Sequence, residues 1–212
     1  MSKLILFDLD GTVTDSGEGI MNCAELALRH FGLSVPDRTA MRVFVGPPLH
    51  DTFIKFGVPA DKVEEAVAVF RSRYTTIGKF ENLPYPGIHE LLAELNAQGH
   101  CLCIATSKPE NMAVEILTKF GLADYFQMIC GASLDTSRIK KEDVIAYLLD
   151  KYHGAGNTVM VGDTEFDVTG AACHGIPTIG VSWGYGTVEA MQQAGAIAIA
   201  HTMEELFKLL NV

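Results

Sequence analysis

Lys3-Leu4-Ile5-Leu6-Phe7-Asp8-Leu9-Asp10-Gly11-Thr12-Val13 is the stretch on which the reading of this chain turns. Its apolar half is short and runs straight into a turn, which predicts a strand at Lys3–Phe7 buried in a parallel sheet. Its second half sets two carboxylates and a glycine at the end of that strand. A carboxylate in such a place is costly unless something uses it. Asp8 and Asp10 stand two apart, so an extended backbone puts both on one side. One can attack an electrophile while the other, partly protonated, serves a leaving group. Like charges this close also raise one pKa, which suits acid/base work.

Beyond Gly11 the apolar period becomes helical. Ile20, Ala24, Ala27, Leu28 and Phe31 share one face, and Gly32 can stop that helix. Shorter helical pieces follow at residues 37–45 and 50–56, split by Gly46-Pro47-Pro48. Asp61 with Glu64 three residues later resembles a capping box, and Val63, Ala66, Val67, Phe70 and Tyr74 form the stripe beyond it. Residues 16–82 therefore read as helix with no strand. From the turn at Pro84-Tyr85-Pro86-Gly87 onward, strands at 101–105, 127–130, 158–161, 178–181 and 197–200 alternate with helical stretches. Such alternation predicts an α/β fold, a doubly wound parallel (Rossmann-like) sheet. The expected organisation is a core of residues 1–15 and 83–212, with an all-helical domain, 16–82, inserted after the first strand.

The chain has 212 residues, 48% of them hydrophobic and 20% charged, enough for a sizeable buried core. Its formal net charge of −10, with no run of Lys or Arg, argues against nucleic acid as a partner. A small phosphorylated substrate stays open, since one local cation can reverse the sign of a pocket. No stretch approaches the roughly 18–20 apolar residues that span a bilayer, so no membrane partner is expected. The N-terminal apolar run is too short for a signal peptide. The five cysteines form no CxxC pair and read as free thiols of a cytoplasmic protein. A monomer or homodimer is expected.

In open α/β sheets ligands bind beyond the carboxyl ends of the strands, which makes the residues after each strand the ones to weigh. Thr106-Ser107-Lys108-Pro109 follows the second core strand and leads into a helix, where hydroxyls and free N–H groups suit phosphate oxygens. Gly162-Asp163-Thr164-Glu165-Phe166-Asp167 brings two more acids to the same sheet edge. Four carboxylates there repel one another without a cation, and Mg²⁺ suits them, with its oxygen ligands and few-carboxylate sites. A further cation to steady a phosphoryl group is offered by Lys140 or Lys141.

Taken in this order, the pieces resemble the haloacid dehalogenase superfamily, and the resemblance covers essentially the whole chain. Residues 8–13 look like its DxDGT[LV] motif, which makes Asp8 the expected nucleophile and Asp10 the expected acid/base. Thr106 is similar to the motif hydroxyl that binds the phosphoryl group, with Ser107 beside it. Lys141 best matches the motif lysine, Lys140 being the alternative. Gly162-Asp163 through Asp167 resembles GDxxxD, which implies a Mg²⁺ held by Asp8, Asp163 and Asp167 with the backbone carbonyl of Asp10. The inserted helices resemble the cap of subfamily I, and Pro86-Gly87, residues 106–109 and residues 180–186 look like the phosphoglycolate phosphatase and bacterial 5′-nucleotidase branch. The resemblance implies hydrolysis of a small phosphomonoester such as 2-phosphoglycolate or a nucleoside 5′-monophosphate. Arg42, Gly46 and Lys55 are the cap candidates for the rest of the substrate, and Phe44, Phe53 and Tyr74 are the aromatics available to a base. The rival expectations are a phosphomutase of the same fold and a non-catalytic phospho-aspartate regulator.

Overall fold

The structure, a computed structural model, describes residues 2–47, 49–135, 137–154 and 157–211. The chain divides into two compact units, residues 15–83 and residues 1–14 with 84–212. The first holds the helices α1 (Gly17–His30), α2 (Arg38–Met41), α3 (Leu49–Lys55) and α4 (Val63–Tyr74). The apolar stripe of α1 is buried at Ala24, Ala27 and Leu28, and α1 packs on α4. Phe44, Phe53 and Tyr74 are buried in the middle of this unit. The Phe44 ring lies 5.2 Å from that of Phe53, and Phe70 stacks on Tyr74. They form the unit's own core, which removes them as an open surface for a base. The expected capping box at Asp61 and Glu64 is also absent. Asp61 sits in a 3₁₀ turn, Ala60–Lys62, and α4 begins at Val63 behind Lys62 with no side-chain cap. A helical turn denies Asp61 the extended conformation from which a side chain reaches the third N–H.

In the second unit β1 (Lys3–Phe7) opens the core. The short strands β2 (Thr14–Asp15) and β3 (Leu83–Pro84) pair where the chain passes between the units. The helix α5 (Ile88–Ala97) then leads to β4 (Cys101–Pro109), α6 (Glu110–Lys119) and β5 (Met128–Ala132). Next come α7 (Lys141–Lys151), β6 (Asn157–Gly162), α8 (Glu165–Ala172), β7 (Thr178–Val181), α9 (Val188–Ala194), β8 (Ala198–Ala200) and α10 (Met203–Leu210). Six strands form one parallel sheet in the order β5-β4-β1-β6-β7-β8. This is an α/β, doubly wound sheet. The sides of β1 go to different layers. Ile5 and Phe7 pack with residues of α5, α6 and α10, while Leu4 and Leu6 pack with residues of α7 and α8. Apolar side chains on both faces are what a central parallel strand requires.

One strand is longer than its apolar run suggests. β4 continues through Pro109, and its register on β5 shifts between Ala105↔Cys130 and Pro109↔Ala132. Four steps on β4 thus match two on β5, a bulge that turns residues 106–108 out of the ladder. Thr106 therefore lies in a distorted strand rather than at a helix start, because α6 begins only at Glu110.

Candidate active site

The chain reverses immediately after β1. The Asp8 N–H donates to the Val161 carbonyl, the Gly11 N–H to that of Thr14, and the Val13 and Thr14 N–H groups to that of Leu9. This turn needs Gly11. Its φ is 86°, and a Cβ there would stand 2.2 Å from an Asp163 carboxylate oxygen. The close approach lets the ends of β1 and β6 share one small volume.

Asp8, Asp163 and Asp167 meet in that volume, with ligand-capable oxygens within 4.8 Å of one another. All three are buried. Asp163 accepts hydrogen bonds from the Tyr185 N–H on Oδ2 (2.8 Å) and the Thr12 hydroxyl on Oδ1 (3.2 Å). Asp167 belongs to a capping box at the start of α8, its Oδ2 accepting from the Thr164 N–H (3.1 Å) and hydroxyl (2.9 Å). From the first turn of α7, Lys141 reaches into the same space. Its Nζ lies 2.8 Å from Asp8 Oδ1 and from Asp167 Oδ1, and it donates to the Ala105 carbonyl at 2.9 Å. Gly170 of α8 makes room for its stem, since a Cβ there would stand 2.7 Å from Lys141 Cβ and Cγ. Lys140 points elsewhere, its side chain 70% exposed and 3.9 Å from Glu142. The backbone separates these neighbours, because Lys140 is the extended N-cap of α7 while Lys141 is its first helical residue.

Asp10 faces a different cation. Lys108 Nζ sits 2.8 Å from its Oδ1 and 2.6 Å from its Oδ2, delivered by the β4 bulge. The Thr106 hydroxyl accepts from the Lys108 N–H at 3.2 Å and is buried, while Ser107 beside it is exposed. Trp183 serves the loop rather than the open site. Its Nε1–H donates to the Thr12 carbonyl, and its ring meets Tyr85 edge to face. Arg42, Gly46 and Lys55 belong to the helical unit and are exposed there; Pro48 of the same loop lies outside the described residues. Lys108 was not foreseen, for a lysine in a polar run after a strand reads as solvated. Only its place one residue beyond the exposed Ser107 hints that it turns inward.

The electrostatics bear on a metal. With all three ionised, the buried carboxylates face one ammonium and leave two negative charges unbalanced, while Asp10 is paired with Lys108. Burial pushes the Asp163 carboxyl well above its ordinary range, and the charges of Asp167 and Asp8 push it further. Burial raises Asp8 to about 6 against the opposing pull of Lys141. Burial works against a charged Lys141 too, yet Asp167 and Asp8 together hold its pKa above the ordinary lysine range. A divalent cation bound by oxygen would close the deficit, so the residues fit Mg²⁺.

The sheet order and this cluster define a hydrolase of the haloacid dehalogenase type. The chain matches the family model for haloacid dehalogenase-like hydrolases over residues 5–181, and it belongs to that family. Among its relatives, tyrosine-protein kinase PtkA of Mycobacterium tuberculosis is 41% identical over 99% of this chain and 73% of its own length. A 5′-nucleotidase of Pseudomonas aeruginosa is 40% identical over 89% of this chain and 86% of its own. The crystal structure of a predicted phosphatase from Clostridium acetobutylicum superposes with a TM-score of 0.93, covering 100% of both chains at 39% identity. The chain is thus an enzyme of this hydrolase family, and phosphatases are named among its relatives and structural neighbours.

Proposed function

We propose that the chain is a Mg²⁺-dependent phosphomonoester hydrolase that works through an aspartyl-phosphate on Asp8. The observation that carries this reading is the pairing of two carboxylates with separate cations at one strand end, Asp8 with Lys141 and Asp10 with Lys108. Asp8, Asp163, Asp167 and the backbone carbonyl of Asp10 would hold the Mg²⁺, which would supply the positive charge that lets a carboxylate nucleophile approach an anionic phosphoryl group. Asp8 attacks phosphorus in line, forming the acyl-phosphate bond as the ester P–O bond breaks. Asp10, once it has taken up a proton on the oxygen that faces the ester, gives that proton to the departing alkoxide, then takes one from the water that cleaves the acyl-phosphate. Lys141 orients Asp8 and balances charge on the phosphoryl oxygens. The Thr106 hydroxyl, with Ser107 beside it, supplies hydrogen bonds to them.

Residues 16–82 act in this reading as a cap inserted into a core of 1–15 and 83–212, excluding water during the first step. Arg42, Gly46 and Lys55 are its contacts to the remainder of the substrate. The substrate is a small phosphorylated metabolite. Identity to a 5′-nucleotidase supports a nucleoside 5′-monophosphate, with 2-phosphoglycolate the next choice. The buried cap aromatics point away from base stacking as the means of recognition. Among the described residues no helix is long and apolar enough to cross a membrane. A cytoplasmic enzyme, monomeric or dimeric, completes the reading. A second reading, phosphoryl transfer to protein tyrosine, is favoured only by identity to a protein named a tyrosine kinase.

The deciding experiment measures phosphate release, with and without Mg²⁺, from nucleoside 5′-monophosphates, 2-phosphoglycolate, sugar phosphates and pyrophosphate, using wild type and Asp8→Asn. Metal-dependent release that vanishes in Asp8→Asn is expected. Release indifferent to Asp8 sinks the proposal. Interconversion of sugar phosphates without release would instead identify a mutase. A parallel arm with ATP and a tyrosine peptide tests the kinase reading by phosphotyrosine formation.

A further inference from the structure

The β4 bulge delivers more than a hydroxyl. Both carboxylate oxygens of Asp10 lie within hydrogen-bond distance of Lys108 Nζ, and only 4% of the Lys108 side chain is exposed. An acid/base carboxylate on a loop can turn about its Cβ–Cγ bond, and each wrong orientation removes it from the reacting oxygen. A buried ammonium within reach of both oxygens limits that freedom, because it keeps hold of one oxygen when the other carries the proton. The backbone that carries the ammonium is itself held. The Lys108 N–H donates to the Thr106 hydroxyl, and Pro109 returns the strand to its ladder opposite Ala132. On the other side, the Asp10 backbone is bridged to Thr14. The geometry couples the bulge of one strand to the orientation of a side chain from another.

We infer that Lys108 is a positioning residue: it holds the Asp10 carboxylate in one orientation toward the ester oxygen and so governs delivery of the proton to the leaving group. It acts through Asp10 and not by binding the phosphoryl group. The inference rests on the reading of Asp10 as the acid/base given above. Through the bulge one strand supplies both the buried Thr106 hydroxyl and the buried Lys108 ammonium.

The test uses the full chain with Mg²⁺ and compares kcat/KM, which reports the first transfer step, on two kinds of substrate. An aryl phosphate such as p-nitrophenyl phosphate has a leaving group that needs little protonation; an alkyl phosphate such as glycerol 2-phosphate needs it fully. Competitive inhibition by inorganic phosphate gives the strength of phosphoryl binding. Lys108→Met is expected to lower kcat/KM on the alkyl ester by about 10²-fold, the lower end of what general acid catalysis contributes. The loss on the aryl ester should be under about a tenth of that, and phosphate inhibition should stay unchanged. Lys108→Arg should recover part of the alkyl rate. It also decides the matter if Lys108→Met does not fold, because any loss it shows must still fall on the alkyl ester. Equal losses on both esters would mark Lys108 as structural, and weakened phosphate inhibition would make it a phosphate ligand; either overturns the inference. Asp10→Asn is run alongside. If it shows no preference between leaving groups, the reading of Asp10 fails first and the role of Lys108 falls with it.

Discussion

Asp8 occupies the most demanding position in the chain. A nucleophile must be ionised, yet burial lifts this carboxyl to about 6 and lifts Asp163 as well. An acid whose pKa is higher in the folded chain than in the unfolded one binds its proton more tightly when folded. The stability this group contributes is therefore present at low pH and is lost as pH rises through about 6. In the proposed reading Mg²⁺ binds the ionised form, which would reverse the trend. Thermal melts should show that saturating Mg²⁺ raises Tm more at pH 7.5 than at pH 5. A gain of roughly 5–10 °C is expected at the higher pH if the ion reaches about 100 times its Kd. An equal gain at both pH values would mean that the ion binds elsewhere. Asp163→Asn should cut the Mg²⁺-induced shift at pH 7.5 to near zero while raising the melting point of the ion-free protein, since it deletes one of three mutually repelling acids. Lys140→Ala should leave phosphate release within about twofold of wild type, as expected for an exposed surface change, whereas Lys141→Ala should abolish it. A reversal of that order would reassign the lysine.

Elements explain both how much of the site was legible in the sequence and where legibility stopped. β1, β6 and β7 could be placed from their apolar runs because strands buried on both faces admit no polar interruption, and Asp8 and Asp163 mark the ends of the first two. β4 was cut short at residue 105 because Thr106-Ser107-Lys108-Pro109 has the composition of a loop. Only pairing with β5 keeps it in the sheet, and pairing is a property of two segments. The missing cap at Asp61 and the present one at Thr164 teach the same lesson. The first has the expected Glu three residues on but the wrong backbone, while the second uses Asp167 in place of Glu or Gln. Lys140 and Lys141 could not be ranked by position alone, since the choice depends on where α7 begins its first turn. Contact between α7 and α8 carries a prediction of its own. Gly170→Ala adds a methyl group 2.7 Å from the Lys141 stem. Alanine favours a helix, but overpacking of this kind costs about 1–3 kcal/mol. Calorimetry should therefore show a Tm fall of roughly 2–10 °C, with phosphate release reduced as Lys141 is displaced. A stabilised Gly170→Ala would mean that the two helices can separate freely.

For the molecule as a whole, each unit keeps its own apolar core, and the two chain crossings are joined as the β2–β3 pair. Replacing residues 16–82 with a short Gly-Ser linker should leave a core that folds and still shows a Mg²⁺-dependent rise in Tm. Its rates on different phosphomonoesters should become more alike, because the proposed cap contacts are gone; a core that fails to fold would make the helical unit structural. The sheet order has one more consequence. Leu4 of β1 faces Cys101 on one side and Thr158 on the other, so the central strand is synthesised long before either neighbour exists. While the ribosome builds the helical unit and most of the core, a ribbon of Leu4, Ile5, Leu6 and Phe7 has no ladder to join and must stay shielded from other nascent chains. The arrangement that brings Asp8 to the middle of the sheet thus leaves its own strand without either partner until the chain has passed residue 101.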